Sequence, residues 1–150
     1  MKIVLQRVHF AKLTSGEYSS EIGFGLLVTV GVNKEDTLAD VNYLAKKIAN
    51  LRMFKDDNDK TNLSVLDVDG EILVVSNFTL QGNAQRGTRP DFSHAGDSDF
   101  ANKLYLLLID ELKANGVRKV EKGSFGNHMH IDAELDGPFT IILESQGRNL

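Results

Sequence analysis

Residues 74–80 form an apolar run that ends in hydroxyl and amide side chains, and a polar loop, residues 81–89, follows it. The point where a strand enters a loop is a common position for a functional site. Ser76 and Thr79 carry hydroxyls that could act as nucleophiles. Neither has a base close in sequence, and both hydroxyls could instead satisfy backbone groups at the strand end. The segment is therefore a candidate site whose chemistry the residues alone leave open.

A second candidate is the Asp136-Gly137-Pro138 sequence, which precedes an apolar run. Glycine lacks a Cβ, so the backbone at Gly137 can approach a ligand closely. The simpler interpretation is a turn, because proline is tolerated at the first residue of a strand. Both interpretations stay open at this point.

Metal and cofactor chemistry finds little support in the residue types. The chain has no cysteine, which excludes disulfides, thiolate metal sites and cysteine nucleophiles. His128, His130 and Asp132 would share one face of a strand, but exposed polar alternation explains that pattern equally well. Residues 56–60 resemble a calcium loop only superficially, since the glycine and glutamate that an EF-hand needs are missing. We therefore expect neither a metal nor a cofactor.

Two further segments could contact a ligand. Arg86 and Arg89 lie in the polar loop and could meet phosphate, although such a loop is more often simply solvated. Phe125 and Met129 belong to a glycine-containing turn, where they are either core residues or walls of a pocket for a flat ring.

The periodicity of the chain predicts an α+β fold in a single domain, residues 1–150. Residues 1–9 and 25–32 are predicted strands, with a hairpin turn at residues 14–17. Residues 63–66 and 71–77 are predicted to be strands joined at Asp69-Gly70. Residues 128–134 and 139–144 are predicted to be strands joined by the Gly-Pro sequence.

Two helices are expected. One occupies residues 33–51, with Asn33 or Asp36 as its cap. The other begins at Asp97 or Ser98 and ends at Gly116.

Length and charge narrow the class of function. The formal net charge of −4 argues against bulk electrostatic binding of nucleic acid, so contact with RNA would need a local site. The longest apolar runs fall well short of the roughly 20 residues that span a bilayer. The first residues also lack the core of a signal peptide. A cytoplasmic protein without a membrane partner is expected.

Taken together, these segments resemble the D-aminoacyl-tRNA deacylase family from end to end. The family's Ser-Gln-Phe-Thr-Leu segment is similar to residues 76–80, with Asn77 in place of the usual glutamine. Its Gly-cisPro motif is similar to Asp136-Gly137-Pro138. The remaining similar segments are residues 5–8, 23–31, 62–64, 89–93 and 123–129.

The resemblance implies a strongly curved or barrel-like mixed sheet with two main helices. It also implies hydrolysis of the ester between a D-amino acid and the terminal adenosine of tRNA, and action on glycyl-tRNA mischarged on tRNA(Ala). The family is homodimeric, needs no cofactor, and inserts its Gly-Pro motif into the partner's active site. There the backbone would collide with an L side chain and admit D-aminoacyl and glycyl groups.

The same resemblance assigns the site residues. Ser76, Asn77, Phe78 and Thr79 would be catalytic, with backbone amides around Phe78 and Thr79 stabilising the oxyanion. The substrate-binding residues would be Gly137, Pro138, Arg7, Phe125 and Met129. Among these, Arg7 would brace the Gly-Pro motif, and Phe125 and Met129 would hold the adenine.

Two mechanisms and several functions stay open. Thr79 could attack the ester, or the protein could position it for water with help from a ribose hydroxyl. The second is favoured because no base for Thr79 is evident, so Thr79→Val is expected to keep substantial activity. Three alternative functions stay open. The first is a same-fold relative that edits an L-aminoacyl-tRNA, and it requires a trans Gly137–Pro138 bond. The others are a non-catalytic RNA-end binding module and a structural homodimer.

Overall fold

The computed structural model describes residues 1–146, which form one sheet of six strands, a short two-stranded sheet and two helices. The strands are β1 Lys2–Ser15, β2 Tyr18–Ile22, β3 Gly25–Gly31, β4 Phe54–Lys55, β5 Thr61–Leu63, β6 Glu71–Ser76, β7 Val120–Lys122 and β8 His130–Glu144. The helices are α1 Leu38–Asn50 and α2 Ser98–Ala114, with a short 3₁₀ helix at Phe78–Gln81. No helix within residues 1–146 is long and apolar enough to cross a membrane.

The large sheet has the order β2-β1-β3-β6-β7, and β8 pairs with β1 along most of its length. β1 is antiparallel to its neighbours, whereas β3, β6 and β7 run parallel. The side chains of Tyr18 and Ser20 in β2 both donate to the Lys122 carbonyl oxygen, at 2.6 and 2.9 Å. These bonds tie β2 to the end of β7, so the sheet is nearly closed. The predicted barrel-like mixed sheet with two helices is confirmed.

Two apolar clusters fill the two faces of the sheet, because successive strand residues point to opposite faces. One cluster joins Leu26 and Val28 of β3 to the apolar stripes of α1 and α2. The other joins Leu27 to Leu73 and to the second half of β1. The parallel strands are thereby buried on both faces, which explains why they are continuously apolar in sequence.

The helix ends show where local signals decided the structure. α2 is capped by Asp97, whose carboxylate accepts from the Phe100 N–H at 3.0 Å, and Gly116 follows its end with φ +100°, as expected. The cap of α1 is Thr37, not Asn33 or Asp36. Asp36 is instead buried in an ion pair with the α-amino group of Met1.

Two predicted strand connections are wrong. Residues 63–66 do not pair with β6, because Leu63 pairs with β4 and the parallel neighbours β3 and β7 occupy both sides of β6. The predicted pair at 128–134 and 139–144 is one strand, β8, whose two halves both pair with β1. The Gly-Pro sequence is therefore a bulge within a strand, not a turn between two strands.

The start of β6 is fixed by the Glu71 carboxylate. It accepts from the Gly23 N–H at 2.7 Å and lies 3.0 Å from Lys119 Nζ. Burial acts to raise the pKa of Glu71, but the Gly23 hydrogen bond and the nearby positive charges outweigh it, so the pKa is lowered.

Candidate active site

Residues Ser76 to Thr79 lie where β6 ends and turns into the 3₁₀ helix. The Asn77 N–H donates to the Val30 carbonyl oxygen at 2.7 Å, which holds the turn against β3. Phe78 and Thr79 are exposed, and Phe78 is 59% accessible. Because Phe78 is the first residue of the helix, its N–H has no acceptor within the helix. The turn therefore presents a hydroxyl and a backbone donor at the surface.

Asn77 uses its side chain within the turn. Its Oδ1 accepts from the Thr79 N–H at 3.2 Å and from the Thr79 hydroxyl. Asparagine suits this role because its short side chain reaches the backbone two residues ahead. Of the two amides expected to face an oxyanion, the Thr79 N–H is thus engaged internally and the Phe78 N–H is not.

Phe125 and Met129 reach the same end of the sheet. Their turn begins at Gly123, whose N–H donates to the Val74 carbonyl oxygen at 2.9 Å. The segment follows β7, the parallel neighbour of β6, and the carboxyl ends of parallel strands meet at one edge. Phe125 packs 5.7 Å from the Tyr105 ring and is half-buried, as is Met129. The structure thus brings the two predicted segments to one edge of the sheet.

The positions of these segments depend on Tyr105, which sequence reasoning did not single out. Its hydroxyl donates to the Val74 carbonyl oxygen at 2.7 Å and accepts from the Gly123 N–H at 3.1 Å. Burial raises the pKa of Tyr105 well above its ordinary value, so the hydroxyl stays protonated. No sequence signal marked it, because it reads as one apolar residue in the stripe of α2.

Gly137 and Pro138 form the exposed tip of the bulge in β8. Gln6 pairs with Thr140 and Val8 with Leu135, so Arg7 alone faces the extra residues of β8. The Gly137–Pro138 peptide bond is cis, as the resemblance implies. Gly137 has φ +128°, and a Cβ built there would lie 2.8 Å from the Phe139 nitrogen. This backbone admits glycine and excludes other residues without a shift.

Arg7 supports this bulge from beneath. Its Nε lies 2.8 Å from Asp136 Oδ2, and its Nη1 donates to the Met53 carbonyl oxygen at 2.7 Å. Its guanidinium carbon is 4.9 Å from the centroid of the Phe139 ring. The arginine side chain is buried. Because it contacts Asp136 before the Gly-Pro tip and Phe139 after it, it supports the tip on both sides. Asp136 is the residue here that sequence reasoning left without a role, and its place directly before Gly137 was the available signal.

One chain does not bring the Gly-Pro tip to the Ser76–Thr79 turn. Gly137 lies at the level of Arg7, whereas Ser76 pairs with Val30, which pairs with Ile3. Four residues separate these levels, or about 13 Å along the strands at the usual rise. The path β8-β1-β3-β6 also places the two motifs three strand spacings apart.

The polar loop adjoins the Ser76–Thr79 turn. Asn83 and Asp91 close it through two backbone hydrogen bonds of 2.8 and 2.9 Å, and Arg86 and Arg89 lie exposed between them. At its base, the rings of Phe78 and Phe92 meet edge to face, 5.2 Å apart. A polar cleft of about 370 Å³ lies beside the loop, lined in part by Gln81, Asn83, Gln85 and His94.

The described residues 1–146 contain no group of three side chains arranged to hold a metal ion. His130 Nε2 lies 3.6 Å from Asp132 Oδ1, and both side chains are exposed. His128 is likewise exposed.

This barrel-like α+β domain ends its parallel strands in a turn of amide and hydroxyl groups, which are the kinds of group that stabilise the oxyanion in acyl transfer. Residues 4–144 match the family model described as D-Tyr-tRNA(Tyr) deacylase. The chain belongs to this family, and it is a deacylase, an ester hydrolase.

Curated relatives agree with the family match. A D-aminoacyl-tRNA deacylase of Thermosipho africanus is 47% identical over 147 residues, which cover 97% of this chain and 98% of the relative. One from Clostridium beijerinckii is 46% identical with the same coverage.

Two solved structures share the fold. A c-Myc DNA unwinding element binding protein superposes with a TM-score of 0.90 at 39% identity, covering 96% of this chain and 98% of its own. A probable eukaryotic D-amino acid tRNA deacylase gives 0.81 at 17% identity, covering 95% and 97%. The second likeness concerns the fold alone.

Proposed function

We propose that this protein hydrolyses the ester bond of D-aminoacyl-tRNA, and of glycyl-tRNA mischarged on tRNA(Ala), in the cytoplasm, releasing free tRNA and the amino acid. The observation that carries the proposal is the family match across residues 4–144, within which the Ser76–Thr79 turn lies at one end of the sheet with Phe78 and Thr79 exposed. The protein would act as a proofreading enzyme that needs no cofactor and grips the terminal adenosine.

The hydrolysis we propose uses the Phe78 N–H as an oxyanion donor. Attack on the ester carbonyl places negative charge on its oxygen, and a fixed donor lowers the energy of that state. The Phe78 N–H is free of helix bonds and lies in a turn held to β3. Ser76 is the first residue of this turn, where its hydroxyl could assist the same oxygen.

The nucleophile in this proposal is water rather than Thr79. The Thr79 hydroxyl donates to the Asn77 side-chain oxygen, which is a neutral amide and cannot take up its proton. A ribose hydroxyl of the substrate would help to activate the water. Phe125 and Met129, at the same edge of the sheet, would hold the adenine.

Selection against L-aminoacyl esters is assigned to the Gly137–Pro138 tip. Both residues are exposed and are supported by the buried Arg7. Backbone carbonyl oxygens at this tip would face the substrate α-carbon and amino group. An L side chain would collide with them, whereas D-aminoacyl and glycyl groups would fit.

This selection requires a homodimer, because the tip and the turn are far apart within one chain. β8 supports this arrangement because, among residues 1–146, it pairs with β1 alone and exposes apolar side chains, with Leu135 45% and Ile142 63% accessible. A long exposed apolar edge is a surface that proteins normally cover. In a two-fold dimer each tip would complete the other subunit's site.

The test of the activity is hydrolysis of matched D-tyrosyl-, L-tyrosyl- and glycyl-tRNA by the purified protein, with and without a chelator. Loss of the D-tyrosyl and glycyl esters, with the L-tyrosyl ester spared, is expected. Cleavage of the L ester would indicate an editing relative with a different filter, and binding without turnover would indicate an RNA-end binding module.

The test of the shared site is to mix two variants of low activity, Phe78→Pro and Gly137→Ala. Random exchange makes half of the dimers mixed, and one of the two sites in each is intact, so about one quarter of the activity should return. No recovery after exchange would contradict the shared site.

A further inference from the structure

One side-chain atom of Asn77 accepts two hydrogen bonds from the same residue, Thr79. Its Oδ1 lies 3.2 Å from the Thr79 nitrogen and also contacts Thr79 Oγ1. A backbone N–H can only donate, so the Asn77 atom that it meets is the carbonyl oxygen. The Thr79 hydroxyl contacts that same oxygen, so it must donate there as well.

This arrangement determines what Thr79 can offer to a substrate. A hydroxyl has one proton to donate and two lone pairs that accept. Because the proton is directed to Asn77, Oγ1 presents only its accepting lone pairs outward. Thr79 is exposed at the surface of the turn, so those lone pairs are accessible.

The side-chain length of Asn77 makes the arrangement local. An asparagine oxygen reaches the backbone two residues ahead and closes a compact turn, and a glutamine, one methylene longer, is not among the residues that favour this cap. The main chain of Asn77 is also fixed on both sides, since its N–H donates to Val30 and its C=O accepts from the Leu80 N–H at 3.3 Å. The amide that differs from the usual family residue is therefore used to orient Thr79.

We propose that Asn77 is a positioning residue that fixes the Thr79 hydroxyl as a hydrogen-bond acceptor for an N–H or O–H donor of the bound aminoacyl-adenosine. Two groups of the substrate have this chemistry, the α-amino group and the ribose 2′-hydroxyl. This inference rests on the proposed function, because it concerns the same site.

The test compares single-turnover hydrolysis of D-tyrosyl-tRNA by the wild type, Asn77→Ala, Thr79→Val and the double variant. A lost hydrogen bond to the substrate costs about tenfold in rate. Thr79→Val should lose about that factor, Asn77→Ala a similar or smaller factor, and the double variant no more than Thr79→Val alone. This non-additivity is expected because both changes remove the same oriented acceptor. Thr79→Ser keeps the hydroxyl and should restore most of the rate.

Two substrate analogues identify the donor. The desamino analogue 3-(4-hydroxyphenyl)propionyl-tRNA lacks the α-amino group, and a tRNA that ends in 2′-deoxyadenosine lacks the 2′-hydroxyl. With the analogue that lacks the relevant donor, Thr79→Val should be as fast as the wild type. Thermal unfolding of each variant reports whether the turn is merely destabilised.

Three results would overturn the inference. Additive losses in the double variant would mean that the two residues act separately. Unchanged activity of Thr79→Val beside a slow Asn77→Ala would reduce Asn77 to a structural cap. A loss of more than about a thousandfold in Thr79→Val would indicate a nucleophile. A wild type that hydrolyses none of the natural esters would instead refute the proposed function itself.

Discussion

The backbone N–H of Phe78 can be removed almost in isolation by the substitution Phe78→Pro. Proline has no N–H and requires φ near −65°, a value that the first residue of a 3₁₀ helix normally adopts. The residue before a proline must be extended, and Asn77 already is, with φ −149° and ψ 93°. Phe78 is 59% exposed, so loss of its ring leaves little buried space. The turn should therefore keep its shape while losing one donor.

The magnitude follows from the role assigned to that donor. Removing one oxyanion-hole donor typically lowers the rate by about 10²- to 10³-fold, or about 2.7–4 kcal/mol of transition-state stabilisation. We expect this loss in the single-turnover rate of D-tyrosyl-tRNA hydrolysis at saturating enzyme. Phe78→Ala is the matched control, because it removes the same ring and keeps the N–H.

The comparison between Phe78→Pro and Phe78→Ala shows whether the Phe78 N–H stabilises the oxyanion. Phe78→Ala measures what the ring contributes through Phe92 and through any contact with RNA. Only the difference between Phe78→Pro and Phe78→Ala reports the amide. If the two variants hydrolyse the ester at the same rate, and both unfold at the wild-type temperature, the Phe78 N–H is not the oxyanion donor.

Three further predictions concern the tip, the pH response and RNA binding. Gly137→Ala places a Cβ 2.8 Å from the Phe139 nitrogen at φ +128°. It should lower the free energy of unfolding by about 1–3 kcal/mol and the rate of D-tyrosyl-tRNA hydrolysis by about a hundredfold. The control is Gly16→Ala, at φ +58° with open space around it, which should keep the activity. The pKa of Glu71 is lowered from its ordinary value of 4.5, so its stabilising effect is present above that pH and is lost as the pH falls through the folded pKa. Glu71→Gln should therefore melt below the wild type at neutral pH and approach it as the pH falls through the lowered pKa of Glu71, and a gap that stays constant with pH would contradict this. Replacing both Arg86 and Arg89 by alanine should weaken tRNA binding and lower the slope of its salt dependence by about 1.4, at about 0.7 per single-strand phosphate. An unchanged slope would show that the loop does not contact phosphate.

Local sequence patterns were sufficient for the elements whose causes lie within a few residues. Asp97 and Gly116 bound α2 because a short carboxylate and a residue at positive φ act on the adjacent turn. The apolar runs of β3 and β6 were recognisable as strands because burial on both faces removes polar residues from them. The cap of α1 was misassigned because Asp36 has a distant partner, the amino group of Met1.

Pairing between strands was the main point that the sequence did not decide. Asp69-Gly70 is typical of a hairpin turn, but β6 does not pair with residues 63–66. It lies between β3 and β7, and its apolar side chains are buried on both faces of the sheet there. The Gly-Pro sequence was likewise predicted to be a turn, because its local residues do not reveal the partner strand. Pairing with β1 shows that both halves of β8 belong to one ladder.

By itself, the sequence determined the α+β class, the two helices and the segments that resemble the deacylase motifs, because residue type and spacing carry that information. Only the tertiary structure decided what those segments touch. It places Arg7 beneath Gly137 and holds the Ser76–Thr79 turn far from that tip. These relations depend on strand register and side-chain geometry between residues distant in the chain, and no local pattern encodes them.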